Sequence, residues 1–238
     1  MEKLNENILR NKEVIIFDLD GTLIDTINIW NKVDYLTLKK YKVNISKKEI
    51  QDLRDNFLLN NSNDNIYLNY SKYLVNKYKL DIDYETFYKE RNKISHKLLS
   101  NIKPKPNVIK TLEALRKRNY LLVIATAASA NEIELYKTNK SMRKLFYYFD
   151  LIVTADDIKN KKPSPEIYEL ILKKIRVKKK KLLVIEDSYL GLLSAKNIEI
   201  EKVYLENKYS KKDYESIKRI SEYKLKNYLD FLRIINNL

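Results

Sequence analysis

Val14-Ile15-Ile16-Phe17-Asp18-Leu19-Asp20-Gly21-Thr22 joins two kinds of chemistry in nine residues. Four consecutive bulky apolar side chains suit a strand buried on both faces, as the strands of a parallel sheet are. Two carboxylates at alternate positions follow, and extended backbone aims alternate side chains to one side. Gly21 supplies a turn by which the chain leaves the sheet edge. Taken alone, Asp18 and Asp20 are compatible with a metal half-site, an acid/base pair, or a nucleophile beside a proton donor. They are also compatible with aspartates that merely cap a strand exit.

Outward from that stretch the pattern repeats. Leu121-Leu122-Val123-Ile124, Leu151-Ile152-Val153 and Leu182-Leu183-Val184-Ile185 are further short apolar runs, and Lys202-Val203-Tyr204-Leu205 is a weaker one. Between them, Val108 to Arg118, Asn131 to Lys140, Pro165 to Lys174 and Leu190 to Lys196 have helical spacing. Strands alternating with helices predict right-handed crossovers and a doubly wound, mostly parallel α/β sheet. In such sheets ligands bind beyond the carboxyl ends of the strands. The polar residues at those ends are Asp18 and Asp20, Thr126, and Glu186 with Asp187. Three strands therefore deliver acids or a hydroxyl to one edge, and adjacent acids suit a hard divalent cation. Lys162-Pro163 lies in a polar loop after the third run, where a lysine ordinarily faces solvent.

The first two runs are about 100 residues apart, far more than one crossover helix needs. Trp30 to Tyr41, Ser46 to Leu59, Ile66 to Tyr78 and Tyr84 to Leu99 read as helices, with Ser46 and Glu49 forming a capping box. The expectation is an α/β core over 1–26 and 103–238, with a helical insert over 27–102 that returns through Lys103-Pro104-Lys105-Pro106. The tail from Asp213 carries Tyr228, Phe231, Leu232 and Ile235 at helical spacing, which predicts one C-terminal helix packed on the sheet.

Composition narrows the chemistry. The 238 residues contain no cysteine, one histidine (His96) and two glycines (Gly21 and Gly191). Disulfides, thiolate nucleophiles, multi-histidine metal clusters and both glycine-rich nucleotide loops are excluded together. Both glycines and all four prolines lie beside the acidic and lysine motifs or at the insert boundary. The net charge of +15 raises a nucleic-acid reading, yet lysine predominates over arginine and is spread along the chain, which reads as a solvated surface. Met1 to Lys12 is polar and of mixed charge, unlike a signal peptide, and no apolar stretch approaches 18 residues. A cytoplasmic protein and a monomer are the expectations.

In this order, Asp18-Leu-Asp20-Gly-Thr22, Thr126, Lys162-Pro163 and Glu186-Asp187-Ser188-x-x-Gly191 resemble the four motifs of the haloacid dehalogenase (HAD) superfamily. The insert resembles the helical C1 cap of its β-phosphoglucomutase-like branch. The resemblance implies that Asp18 attacks phosphorus to form an aspartyl-phosphate and that Asp20 first protonates the leaving oxygen and then deprotonates water. It implies that Thr126 and the backbone amide of Ala127 hold phosphate oxygens, and that Lys162 neutralises charge on the phosphate and on Asp18. It further implies Mg²⁺ held by the side chains of Asp18, Glu186 and Asp187 and by the Asp20 carbonyl. The expected activity is a Mg²⁺-dependent phosphatase acting on a small phosphorylated metabolite, with cap closure excluding water. Residues around Trp30, Tyr35 and Asn56 are the expected substrate selectors. A sugar-phosphate mutase is the alternative, although the place of the histidine of such mutases falls here at Trp30. A basic nucleic-acid-binding protein on a degenerate hydrolase core is the second alternative. Dehalogenation needs neither the metal ligands nor the acid at Asp20. Departures from the pattern are Ala127, Lys161 and Ala195-Lys196-Asn197-Ile198.

Overall fold

The computed structural model of the chain describes residues 8–61 and 66–237, so most of the polar N-terminal stretch lies outside the described residues. Val14–Phe17 forms β1, buried at all four positions. The other strands are β2 (Leu121–Ala125), β3 (Leu151–Val153), β4 (Leu182–Glu186), β5 (Glu201–Leu205) and β6 (Tyr223–Leu225). Their order is β3-β2-β1-β4-β5-β6, and every pairing is parallel. This is the doubly wound α/β sheet that alternation of strands and helices predicts.

The register positions the site. Phe17 is level with Ile124 of β2 and with Ile185 of β4, which brings Asp18 level with Ala125 and Glu186. Alternate side chains Val14, Ile16, Val123, Ala125, Leu182 and Val184 form one buried cluster with Ile167, Tyr168 and Ile171. Those three belong to the helix Glu166–Ile175. By the pleat, Phe17 faces the other way, where it meets Phe149 edge-on at 6.0 Å between ring centroids.

Two expectations are corrected. The segment 131–140 is not one helix. Helix Ala130–Lys137 ends near Thr138, and a second helix, Lys140–Phe146, starts with Asn139 Oδ1 accepting from the Ser141 amide at 2.8 Å. Asparagine competes with the helix by capping the next one. The tail is likewise not one helix but Tyr214–Ile220, then β6, then Tyr228–Asn236. A three-residue strand is too short to show alternation. Glu222 anchors it by accepting from Lys202 N at 2.8 Å and from Lys202 Nζ at 2.9 Å.

The chain divides into two compact units, Met1–Asp25 with Ile102–Leu238, and Thr26–Asn101. The second unit consists of α1 (Ile27–Lys40), α2 (Lys47–Asn60), α3 (Ile66–Tyr78) and α4 (Tyr84–Leu99). Its core includes Leu38, Ile50, Tyr70, Leu74 and Phe87. Inside it, Asp34 is fully buried and accepts from Arg91 Nε at 2.7 Å and from Arg54 Nη1 at 3.4 Å. Trp30 stacks on Tyr67 at 5.9 Å, and the Arg91 guanidinium lies 5.1 Å from the Trp30 ring. Tyr35 packs against the core, while Asn56 and His96 are exposed. Among the described residues, no helix is long and apolar enough to cross a membrane.

Candidate active site

At the carboxyl end of β1, Asp18 is buried and its amide donates to the Ile185 carbonyl at 3.0 Å. Its Oδ1 accepts from Lys162 Nζ at 2.8 Å. The same ammonium donates to Glu186 Oε1 at 2.8 Å and to the Ala125 carbonyl at 3.0 Å. Lys162 thus joins the ends of β1, β2 and β4, and the side chain of a loop lysine that ordinarily faces solvent is only 8% exposed. Burial disfavours its ammonium, but Asp18 and Glu186 outweigh that penalty and hold its pKa well above the usual lysine value.

The acids after β4 are fixed by separate partners. Glu186 Oε2 accepts from the amide and hydroxyl of Ser188, at 2.8 and 2.9 Å. Ser188 in turn caps the helix Tyr189–Lys196 by accepting from the Gly191 amide at 3.1 Å. Asp187 accepts from Thr22 Oγ1 at 2.8 Å and from Asn207 Nδ2 at 2.6 Å, while Ser210 Oγ donates to its carbonyl at 2.6 Å. Each glycine abuts one of these carboxylates. A Cβ on Gly191 would lie 1.6 Å from Glu186 Oε1, and one on Gly21, at φ +91°, would lie 2.4 Å from Asp187 Oδ2. Close approach explains why both positions lack a side chain.

Asp18, Glu186 and Asp187 each present a carboxylate oxygen, all within 4.8 Å of one another and all buried. Three carboxylates around the Lys162 ammonium leave negative charge in excess. Burial first, and then the neighbouring acids, push the Asp18 carboxyl well above the ordinary aspartate range against the pull of Lys162. Burial and Glu186 push Asp187 up to about 6. A hard oxygen donor set carrying excess charge fits a divalent cation such as Mg²⁺.

β1 ends at Phe17, Asp20 forms a bridge with Ile24, and its carboxylate is not in the three-acid cluster. Its Oδ1 accepts from Tyr136 Oη at 3.0 Å, and Thr126 Oγ1 lies 3.5 Å from Oδ2. Thr126 is fully buried and its Oγ1 accepts from the Ala128 amide at 3.0 Å, with Ala127 exposed between them. The structure therefore brings Asp18, Lys162, Glu186 and Asp187 into direct contact or near contact, with Asp20 and Thr126 paired beside them.

Thr22, Asn207, Lys105 and Tyr136 also belong to this neighbourhood, although the sequence reading gives them no role. Asn207 follows β5, so the strand-end rule applied to the weaker fifth run finds it. Lys105, within the two-proline strap, donates to the Gly21 carbonyl. Burial lowers its pKa, opposed first by the nearby Asp187. Tyr136 has no local signal, because it reads as an ordinary buried helical aromatic.

The haloacid dehalogenase-like hydrolase family model matches residues 15–205. A phosphorylated carbohydrates phosphatase of Thermotoga maritima is 28% identical over 193 residues, covering 81% of this chain and 84% of that protein. The pyrophosphatase PpaX of Oceanobacillus iheyensis is 27% identical over 187 residues, covering 79% of this chain and 80% of its own. Among solved structures, a Thermotoga maritima protein provisionally described as a β-phosphoglucomutase superposes with a TM-score of 0.76 at 24% identity, covering 95% of this chain and 99% of that one. CbbY from Rhodobacter sphaeroides, solved with phosphate, superposes with a TM-score of 0.71 at 20% identity, covering 94% and 99%.

Proposed function

Because the chain belongs to the haloacid dehalogenase-like hydrolase family, we propose that it is a Mg²⁺-dependent phosphatase that hydrolyses a small phosphomonoester through an aspartyl-phosphate. The observation that carries this reading is Lys162 held between Asp18 and Glu186 within a buried three-carboxylate cluster. The relatives named as a phosphorylated carbohydrates phosphatase and a pyrophosphatase support phosphate as the group handled.

A carboxylate oxygen of Asp18 attacks phosphorus as the bond to the leaving oxygen breaks, and that oxygen takes the proton carried by Asp20. Water then gives a proton to Asp20 and attacks the same phosphorus. The Asp18–phosphorus bond breaks, which returns the carboxylate and frees orthophosphate. Lys162 places positive charge beside the attacking carboxylate, where charge builds between two anions. Thr126 Oγ1 and the Ala127 amide receive phosphate oxygens at the end of β2. The side chains of Asp18, Glu186 and Asp187 and the Asp20 carbonyl would hold Mg²⁺. When bound, the ion supplies further positive charge against the nucleophile and the phosphate.

Hydrolysis is favoured over the mutase reading by Trp30, whose indole stacks on Tyr67 where the resemblance would place a histidine. The test is phosphate release from p-nitrophenyl phosphate with and without Mg²⁺, in the parent protein and in Asp18→Asn. The substitution should lower turnover at least about 10³-fold. Equal turnover in both proteins would remove the proposal.

A further inference from the structure

Tyr136 lies on the helix Ala130–Lys137, wholly buried, with its hydroxyl 3.0 Å from Asp20 Oδ1. A phenylalanine or leucine could fill the same space. The hydroxyl therefore adds a directed contact, and it goes to the site carboxylate outside the three-acid cluster. The helix that carries it is tightly placed. Ser129 and Glu132 form a reciprocal capping box, and the Ala130 amide donates to Asp156 Oδ2 at 2.8 Å. The start of the helix is thereby fixed to the ends of β2 and β3, and Tyr136 follows from it within two turns.

We infer that Tyr136 is a positioning residue for the proton transfers of Asp20, an inference that rests on the acid/base role proposed above. A carboxyl group turns freely about its bond to Cβ, whereas proton transfer needs one oxygen within hydrogen-bond reach of the leaving group. Tyr136 holds Oδ1 by donating to it at 3.0 Å, whereas the Thr126 Oγ1 contact with Oδ2 is longer, 3.5 Å, so the rotation of the carboxyl group is set from the Oδ1 side and Oδ2 is the oxygen assigned to deliver the proton. The geometry is set before substrate arrives, as effective catalysis by a positioned group requires.

The test compares kcat/KM for p-nitrophenyl phosphate and phenyl phosphate, two esters of similar shape, in the parent protein and in Tyr136→Phe with Mg²⁺ present. This quantity covers the steps through departure of the leaving group. p-Nitrophenolate leaves without a proton, whereas phenolate is a much poorer leaving group and needs one. The p-nitrophenyl-to-phenyl ratio should rise roughly tenfold in Tyr136→Phe, part of the 10²–10⁴-fold worth of general acid catalysis. Both values come from one preparation, so the ratio does not depend on the fraction folded. A ratio unchanged from the parent overturns the inference, whether activity falls equally on both esters or on neither. Failure of the underlying reading has different signatures. One is a parent protein that releases phosphate from neither ester, and the other is an Asp20→Asn variant that keeps the parental ratio.

Discussion

Asp187 is held by Thr22 and Asn207 through its carboxylate, and its carboxyl is still pushed up to about 6 by burial and by Glu186. An acid whose pKa is raised on folding binds its proton more tightly in the folded than in the unfolded chain. Its contribution to stability is therefore intact below about pH 4 and is lost as pH rises through about 6. A divalent cation at the three carboxylates is bound best when they are ionised, so it repairs this loss. Saturating Mg²⁺ should raise the melting temperature by several degrees at about pH 7.5 and far less at about pH 5. Equal shifts at both pH values would argue against a carboxylate cation site. Gly191→Ala belongs to the same scale. Its methyl would drive into the Glu186 carboxylate, and overpacking of this kind costs about 1–3 kcal/mol. Thermal unfolding at neutral pH should show the loss, together with reduced phosphate release because Glu186 must move.

Elements matter here through where they begin. The helix Ala130–Lys137 has only eight residues, too few for intrinsic helix stability to fix its register. Its Ser129–Glu132 box supplies that fixation. Ser129→Ala should cost about 1 kcal/mol, a downward shift of a few degrees in melting temperature. It should also reduce turnover, since the helix aims Tyr136 at Asp20. Full activity at lower stability would show that the helix tolerates a loosened start. The helix Tyr189–Lys196 uses the same device at Ser188, where the hydroxyl that caps it also donates to Glu186. One hydroxyl thus ties the position of a helix to the orientation of a site carboxylate.

Across the whole molecule, each compact unit joins an apolar core to buried ion pairs. The sheet unit buries aliphatic strands beside the Asp18–Lys162–Glu186 cluster, and the helical unit buries an Arg54–Asp34–Arg91 triad within an aromatic and aliphatic core. Asp34→Ala leaves two arginines without their counterion. Losing one member of a buried ion pair typically costs 3–5 kcal/mol. Trp30 is the sole tryptophan of the chain and lies in this unit, so its fluorescence in a urea titration reports the loss directly. A change below about 1 kcal/mol would mean that water or rearrangement compensates the arginines.

The sequence alone determined the strand-end chemistry. Val14–Phe17 and Leu182–Ile185 read as sheltered strands, and acids directly after such runs emerge at one edge once the strands pair in parallel, as they do. Helices at 66–78 and 84–99 were equally legible, because long amphipathic periodicity needs no tertiary partner to be seen. Tertiary structure decided the rest. Which carboxylate Lys162 meets, which carboxylate crowds Gly21 and how Tyr136 reaches Asp20 all depend on contacts between residues distant in sequence. The break at Asn139 and the three-residue β6 were decided there too, since elements so short have weak local preference and take their form from the neighbours that cap or pair with them. Local patterns record which face of a segment is sheltered, and they carry no record of what stands opposite.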